Sequence, residues 1–264
     1  MRSSPKRILI RPTLTEEEAI WADALQTAIR SSKEDFGRVT DWDIAVHVLV
    51  AKNDTRKALH RLRRLHQFKV RYHISDHATI YEAMTILRHF QKAHHGFLQA
   101  FGKDAAGRHV VTFSFSQFQK TSDDTRFVAL YYLFHALQPD LESVRQGTVW
   151  IGDFTDVSRA NFSMPVVHGA RALCRDSYPI KIKDVPCLNT PGRMSAAYAI
   201  CRPFWSKKLG KCLTLDCSVE VLHQHFPKGL LPPLLGGTQK PIEMMDVLEA
   251  SLTKRFESNE SFVL

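Results

Sequence analysis

The stretch DSYPIKIKDVPCLNTPGRMSAAYAICRPFWSKKLGKCL, residues 176–213, decides the fold of this chain. Its first part, YPIKIK, alternates apolar and basic residues, and this alternation predicts an extended segment whose successive side chains lie on opposite faces. Ile180 and Ile182 then share one face. Lys181 and Lys183 share the other face and point together toward water. We therefore expect an extended segment with one apolar face and one basic face.

The rest of the stretch predicts a short apolar strand, Val185 to Leu188, and then a helix that starts at Asn189-Thr190-Pro191. Residues at helical spacing give this helix one apolar stripe, made of Met194, Ala197, Tyr198, Cys201 and Trp205. Pro203 does not fit inside a regular helix, so we expect a kink or an end near Arg202. Three lysines follow directly: Lys207, Lys208 and Lys211.

Strands and helices alternate through the second half of the chain, which is typical of an α/β domain with a partly parallel sheet. The clearest strand is Arg108 to Ser116, with Val111, Phe113 and Phe115 on one face. Between Ile80 and Gly107 we expect a helix and then a polar segment. Further strands are expected at Thr148–Asp153 and Cys212–Asp216, with helices that start at Ser122 or Asp123, at Ser163, at Ser218 and at Ile242.

The first 76 residues predict a small all-helical domain. Thr15 and Glu18 form a capping box for the first helix, and the second runs from Asp41 to Lys52. A third helix, capped by Asp54 or Thr55, has a basic side made of Arg56, Lys57, Arg61, Arg63 and Arg64. A solvated face and a nucleic-acid contact are both open interpretations of that side. We therefore expect three parts: residues 1–76, residues 77–241, and a C-terminal helix with a polar tail, residues 242–264.

The composition indicates an anionic partner and a reducing compartment. The formal net charge of +9 favours either nucleic acid or an acidic membrane surface. The five cysteines all lie in the second half and include no CxxC pair, which favours an intracellular location. The apolar run near the N-terminus is too short for a signal peptide. The apolar run Phe127–Leu137 is too short for a bilayer span, which needs ~20 residues. We expect a soluble, cytoplasmic protein.

Motifs that carry chemistry are missing. The sequence has no Gly-rich phosphate loop, HExxH motif or nucleophile elbow, so we predict no enzymatic activity, no metal and no cofactor. Asp153 follows a strand and is better explained as a strand-end cap than as a catalytic acid. The adjacent histidines His94-His95 would diverge on a helix, so we do not expect them to bind one metal ion together. Uneven spacing likewise argues against a metal set made of Cys212, Cys217, His223 and His225.

The order of motifs resembles the CRAL-TRIO lipid-binding family, and within it the branch of alpha-tocopherol transfer protein, cellular retinaldehyde-binding protein and clavesin. In that family a strand leads into a so-called gate helix through Tyr/Phe-Pro, alternating basic residues, Asn-x-Pro and a basic-Pro-Phe triplet. The matching residues are Tyr178-Pro179, Lys181, Lys183, Asn189-Thr190-Pro191 and Arg202-Pro203-Phe204. The family's closing pattern matches Leu222 to Pro227 and Leu231-Pro232 through Gly236-Gly237.

The resemblance implies a mixed, partly parallel sheet that floors an apolar pocket, with the helix from Pro191 to Pro203 as a movable lid. It further implies a carrier of a tocopherol-, retinoid- or phospholipid-like ligand that exchanges this ligand at anionic membranes. Pocket residues carried over by position are Leu173, Cys174, Tyr178, Ile180, Ile182, Val185 and Cys201. The apolar faces described above add Phe113, Phe154, Met194, Ala197, Tyr198 and Trp205.

The branch also binds phosphoinositide headgroups through basic residues, at positions that match Lys52, Lys181, Lys183 and Lys208. A further basic position of the branch falls on Cys212, with Lys211 beside it. We therefore expect peripheral, transient membrane association and no nucleic-acid partner. A ligand-free scaffold that recruits partners to membranes is the alternative, and a basic nucleic-acid-binding module is a third.

Two departures from the family pattern bear on the cavity. Gly152 stands where the family usually has a bulky apolar residue. Pro186 removes a backbone donor from a strand that should lie inside the sheet, which predicts a bulge or an edge position. Both would reshape the pocket.

Overall fold

A computed structural model describes residues 14–93, 96–117, 125–157, 168–169, 172–190 and 207–260. The stripe helix and the helix starts predicted at residues 122–123 and 163 lie outside this part of the chain, as does the pair His94-His95. Within it, helices surround a mixed sheet.

Three helices form the N-terminal part: α1 (Glu16–Ser31), α2 (Asp41–Ala51) and α3 (Thr55–Arg71). The predicted capping box is present, because Thr15 Oγ1 accepts from the Glu18 amide and the Glu18 carboxylate accepts from the Thr15 amide. The apolar sides of the helices meet in one core cluster that includes Leu25, Phe36, Ile44, Val48, Ala58 and Leu62. The local capping signals therefore predicted where α1 and α3 begin.

The sheet has the order β1-β2-β3-β4-β5, in which β1 is antiparallel to β2 and the later pairs are parallel. Its strands are β1 (Leu98–Lys103), β2 (His109–Ser114), β3 (Thr148–Asp153), β4 (Ile182–Leu188) and β5 (Leu213–Thr214). The mixed, partly parallel sheet that the sequence predicted is confirmed.

The remaining elements fill the connections and the faces. Helices α4 (Ile80–Ala93), α5 (Thr125–Ala136) and α6 (Leu141–Gln146) precede β3, and a π-helical turn (Ala172–Ser177) precedes β4. After β4 come α7 (Lys207–Cys212), α8 (Val219–His225) and α9 (Pro241–Glu260). Short 3-10 turns follow β2 and α8.

The two faces of the sheet pack differently. Val111 of β2 and Trp150 of β3 face α4, α5 and α9. In α9, Met244, Leu248 and Leu252 are fully buried in the same core. The opposite face packs on α8 and the 3-10 turns through Val110, Val149, Ile151 and Leu188. The helix α9 is thus part of the main core. Likewise, Trp42 and Val46 of α2 pack on α6.

Glutamine side chains cover the outer edge of β1. The Leu98 amide donates to Gln91 Oε1 at 3.1 Å, and Gln91 Nε2 donates to the Leu98 carbonyl at 2.5 Å. In the same manner Gln239 accepts from the Phe101 amide at 3.0 Å and donates to the Phe101 carbonyl at 2.8 Å. Unpaired edge groups of a sheet invite pairing with another chain, and these amides satisfy them internally.

Several expectations about the strands were wrong. β1 lies where we expected a polar segment, because its partner is the next strand across a hairpin. Phe115 leaves β2 and begins a 3-10 turn. The last strand starts at Leu213, since the preceding helix continues to Cys212. α6 was not expected at all.

Pro186 lies in an interior strand, and the predicted edge position is wrong. β4 pairs with β3 on one side and with β5 on the other. The predicted irregularity exists but occurs earlier, because Ile182 opposes Thr148 while Asp184 already opposes Val149. Pro186 itself opposes Thr214, the last residue of the two-residue strand β5. The proline is tolerated where the pairing with β5 ends.

Candidate functional site

Apolar side chains gather where the parallel strands end. We call them the end cluster: Phe115, Phe154, Val157, Val185, Cys187, Leu213 and Leu215. Five of them are only half-buried, namely Phe115, Val157, Val185, Leu213 and Leu215. Ligands of open α/β sheets bind outside the carboxyl ends of the strands, so this cluster is the candidate ligand site. Phe154 and Val185 were predicted as pocket residues.

Gly152 lies beneath two aromatic rings of the end cluster. The rings of Phe115 and Phe154 are stacked, with 4.6 Å between their centroids and 14° between their planes. A β-carbon at Gly152 would come within 2.9 Å of Phe115 Cε2 and 3.0 Å of Phe154 Cε2. The two rings therefore occupy the space that the missing side chain leaves. Gly152 itself pairs with Phe113 and Cys187 in the sheet.

Other predicted pocket residues lie in the main core, behind the end cluster. Phe113 packs against Trp150 with a centroid distance of 5.7 Å, and Ile182 and Cys174 pack on the same core. Burial raises the pKa of the Cys174 thiol to about 12, so this side chain is a neutral apolar group. The predicted residues that are fully inside this core are Phe113, Leu173, Tyr178 and Ile180.

Tyr178 is directed into a buried polar cluster. Its hydroxyl oxygen lies 3.1 Å from His135 Nδ1 and also hydrogen-bonds to the Arg255 guanidinium. Burial lowers the pKa of His135 well below its usual value and raises that of Tyr178, so both groups are neutral. Arg255 comes from α9 and is 2% exposed. The polar end of Tyr178 thus contacts α5 and α9.

The stripe residues lie outside the described part of the chain: Met194, Ala197, Tyr198, Cys201 and Trp205. The stretches on both sides of this segment are described. The Thr190 hydroxyl hydrogen-bonds to the Asp216 carboxylate, and the Asn189 amide donates to Asp153 Oδ1 at 3.2 Å. The chain therefore leaves the sheet beside the end cluster.

Of the predicted membrane lysines, Lys181 is half-buried and bonded to the protein. Its ammonium group donates to the Arg145 carbonyl at 2.6 Å, at the C-terminal end of α6. Lys183 is exposed, and its Cγ lies on the same side as that of Lys181, because both Cγ atoms are close to Gly147. The two lysines therefore share one side, as expected, but Lys181 reaches water only in part.

Lys211 and Lys183 lie on adjoining segments, α7 and β4. The Cys212 thiol is 3.9 Å from the Ile182 carbonyl oxygen, and each lysine is the chain neighbour of one of these residues. Lys211 is exposed. Lys52 is exposed at the end of α2, with φ of 51°, and the Lys208 side chain lies outside the described residues.

The basic side of α3 is partly occupied by contacts within the protein. Arg63 pairs with Glu34 at 2.5 Å, and Arg61 is half-buried within the electrostatic reach of Asp176. Arg56, Lys57 and Arg64 are exposed. Two of the five basic residues are thus turned to neighbouring segments, which reduces the surface open to a nucleic acid.

Asp153 is held as a strand-end cap. Its Oδ1 accepts from the Thr155 amide at 3.0 Å and from the Thr155 hydroxyl at 2.7 Å. The Asn189 amide donates to the same oxygen, as described above. His223 Nε2 donates to the Leu235 carbonyl oxygen at 2.8 Å. Among the described residues, no group of three or more His, Cys, Asp or Glu side chains has the geometry of a metal site.

Sequence reasoning missed several residues of the end cluster. Phe115 was placed on a strand face beside Phe113 but was not counted in the pocket. Leu213 and Leu215 were assigned to the last strand without a role. Arg255 was not noticed, because a lone arginine in a polar C-terminal helix gives no sign of burial.

A mixed sheet that ends at an apolar cluster and follows a helical N-terminal part defines an α/β ligand-binding domain. The chain belongs to the CRAL/TRIO domain family, whose sequence profile matches residues 93–237. The family that the motif order suggested is confirmed. Among the described residues, no helix is both long and apolar enough to cross a membrane.

Comparisons with known proteins agree with this family. An "Alpha-tocopherol transfer protein-like" protein of Homo sapiens is 29% identical over 114 residues, 42% of this chain and 33% of that protein. "Tyrosine-protein phosphatase non-receptor type 9" of Mus musculus is 27% identical over 121 residues, 46% of this chain and 20% of the phosphatase. These matches cover about a third or less of the relatives' length.

A solved structure supports the fold. The crystal structure of Sfh5 matches with a TM-score of 0.56, over 92% of this chain and 98% of that chain. The two sequences are 13% identical, so the likeness concerns the fold alone.

Proposed function

We propose that this protein is a carrier that binds one small hydrophobic ligand and exchanges it at anionic membranes, phosphoinositide-containing ones included. The observation that carries the proposal is the membership of residues 93–237 in the lipid-binding CRAL/TRIO family. The end cluster supports it, because half-buried apolar side chains gather where α/β sheets bind ligands. A tocopherol-, retinoid- or phospholipid-like molecule would suit such a site.

In this proposal the helix predicted between Pro191 and Pro203 is the movable lid. Burying apolar surface gains about 25 cal/mol for each Å², so a hydrophobic ligand leaves slowly into water. Release at a bilayer avoids that loss, because the ligand passes directly from the pocket to the lipid. The protein makes and breaks no bond, so the carrier is not an enzyme.

Exposed lysines would hold the carrier at the membrane while the lid opens. Lys183 and Lys211 are exposed on the adjoining segments β4 and α7, and Lys208 belongs to the same helix as Lys211. Each lysine near an anionic bilayer contributes about 1 kcal/mol of attraction. This attraction suits transient, peripheral association of a cytoplasmic protein.

The experiment that tests the carrier is native mass spectrometry of the purified protein, followed by extraction and identification of any bound molecule. We expect a stoichiometric lipid-like adduct that is lost on denaturation. If the protein is empty, it is incubated with vesicles that contain tocopherol, retinoid and phospholipid. A protein that stays empty after this step is not a carrier.

A membrane-recruited scaffold without ligand is the second candidate, and one observation favours it. The rings of Phe113, Trp150, Phe134 and Tyr178 follow one another in the main core with centroid distances of 5.7, 5.2 and 5.3 Å. The interior behind the end cluster is thus filled by the protein's own side chains. A scaffold would stay empty in the experiment above and still bind anionic vesicles.

A further inference from the structure

We infer that a cleft at the opposite end of the sheet from the end cluster binds small carboxylates that have a short apolar chain. We call it the α9 cleft. It has a volume of about 230 Å³, and its lining includes Lys103, His109, Pro139, Val247 and Lys254. β2 begins at His109 in this cleft and ends beside the end cluster, so ~17 Å of strand separates the two sites. The inference does not rest on the proposed carrier function.

Lys103 and His109 lie side by side on the face of the sheet that packs on α9. They oppose each other in the pairing of β1 with β2. Side chains two residues apart in a strand share a face, and Val111, two residues after His109, belongs to the core shared with α9. His109 is only 3% exposed and forms the floor of the cleft, whereas the exposed Lys103 borders its opening.

The α9 cleft carries one uncompensated positive charge. The Lys254 ammonium group donates to one oxygen of the Asp140 carboxylate, and the other oxygen accepts from the Ser143 amide at 2.7 Å. Lys254 is thereby held at the border of the cleft. Among the described residues, Lys103 takes part in no ion pair. Two lysines and one aspartate leave a single positive charge, which matches a carboxylate better than a doubly charged phosphate.

The imidazole of His109 adds a polar group to the cleft. Its Nδ1 atom has no hydrogen-bond partner among the described residues. Desolvation and then the nearby charge of Lys103 lower the pKa of His109 to about 4, so the ring is neutral near neutral pH. A neutral imidazole keeps one N–H group, which donates to a carboxylate as well as an ammonium group does in geometry, if not in charge. A carboxylate in the cleft would therefore meet donors on more than one side.

The rest of the lining is apolar. Val247 of α9 is 43% exposed, Pro139 is buried, and the methylene chains of the two lysines add further apolar surface. A water molecule takes up ~30 Å³ in the liquid, so the cleft has room for about eight non-hydrogen atoms. Hexanoate has this size, and it combines a single negative charge with a chain that can cover Val247.

The test is a titration of the full chain that is followed by the NMR shifts of its backbone amides. Sodium hexanoate is the probe, hexanol is the uncharged comparison, and inorganic phosphate is the comparison without an apolar chain. We expect saturable shifts at Gly102, Lys103 and Val247, with a dissociation constant on the order of 1 mM for so small a ligand. Hexanol and phosphate should each bind several-fold more weakly.

Two variants, each with a matched control, make the test specific. Lys103→Gln removes the uncompensated charge, and Val247→Ala removes two methyl groups from the lining, so each should weaken hexanoate binding about 2- to 5-fold. Lys57→Gln and Val221→Ala make the same changes outside the cleft, at an exposed lysine of α3 and at a valine of α8 that is 42% exposed. The controls should leave the dissociation constant unchanged, and thermal melting verifies that all variants are folded.

Several outcomes would overturn the inference. Among them are hexanol binding as tight as that of hexanoate, phosphate binding that is tighter, and the absence of saturable shifts with hexanoate. Shifts centred on Gly152 and Val185 would place hexanoate in the end cluster instead. An unchanged dissociation constant in both Lys103→Gln and Val247→Ala would likewise rule out the α9 cleft. None of these outcomes overturns the carrier, which is tested by its lipid adduct.

Discussion

The guanidinium carbon of Arg255 lies 4.3 Å from the centre of the Trp42 ring, so α9 contacts α2 at this point. Trp42 is 3% exposed and Arg255 is 2% exposed. Desolvation lowers the pKa of the guanidinium, and its Nε and Nη1 atoms have no hydrogen-bond partner among the described residues. The charge is therefore only partly compensated, by the aromatic ring and by its polar neighbours.

We predict that the size of Arg255 matters more than its charge. Arg255→Met keeps most of the volume and removes a poorly satisfied charge, so stability should stay within about 1 kcal/mol of the wild type. Arg255→Ala leaves a cavity and should cost about 2–4 kcal/mol. Urea unfolding measures both values. A loss in the methionine variant as large as in the alanine variant would show that the charge itself stabilises the junction.

We predict that Lys181 stabilises the folded protein and that Lys183 does not. Lys181→Ala removes the charge-assisted hydrogen bond to the Arg145 carbonyl and should cost about 1–2 kcal/mol of unfolding free energy. Lys183→Ala changes an exposed side chain and should stay within about 0.5 kcal/mol. Urea unfolding of the two variants compares them directly. Equal losses of unfolding free energy in the two variants would contradict a stabilising hydrogen bond between Lys181 and α6.

Vesicle binding should depend on Lys183 and Lys211 together. The double variant Lys183→Ala with Lys211→Ala removes about 2 kcal/mol of attraction, which predicts about a 30-fold weaker binding to phosphatidylserine vesicles. The matched control is Lys228→Ala with Lys240→Ala, which makes the same charge change at two other exposed positions. Sedimentation with vesicles at low and high salt measures the binding. An equal loss in both double variants would indicate attraction by net charge alone.

Acid should destabilise the protein through buried histidines. Desolvation lowers the pKa of His47 and of His109 from 6.5 to about 4. The unfolded chain binds protons below pH 6.5 while these folded-state groups resist until about pH 4, so stability falls as pH drops through this window. We expect a loss of about 2 kcal/mol for each histidine between about pH 7 and 5.

Urea unfolding at the two pH values tests this expectation. His47→Gln should reduce the pH dependence by the share of one histidine, about 2 kcal/mol, because glutamine does not titrate. His60→Gln is the control, since His60 is exposed on α3 and should change nothing. A pH dependence that survives in His47→Gln at full size would assign the acid sensitivity to other groups.

The parts of the fold that the sequence predicted well are those with local causes. Thr15 and Asp54 indicate helix starts, because their side chains accept hydrogen bonds from backbone amides only three residues further along the chain. β2 and β3 were recognised from alternation and from their apolar runs. β1 was missed because LQAFGK shows no clear period, and its place depends on pairing with β2.

The candidate site was predicted in part for the same reason. Phe154 and Val185 follow from strand faces and from the family pattern. The partial burial of Lys181 depends on α6, a short helix that the sequence did not reveal, and on the irregular register at the start of β4. The stacking of Phe115 on Phe154 depends on a tertiary contact over Gly152, which no local pattern encodes.

The glutamines that cover β1 also govern how copies of this protein can meet. At one border of the sheet, Gln91 and Gln239 already bond the outward main-chain groups of Leu98 and Phe101. At the other border, β5 offers only two residues. Within the described part of the chain, strand-by-strand growth into a continuous intermolecular sheet therefore has no adequate starting point at either border of the sheet.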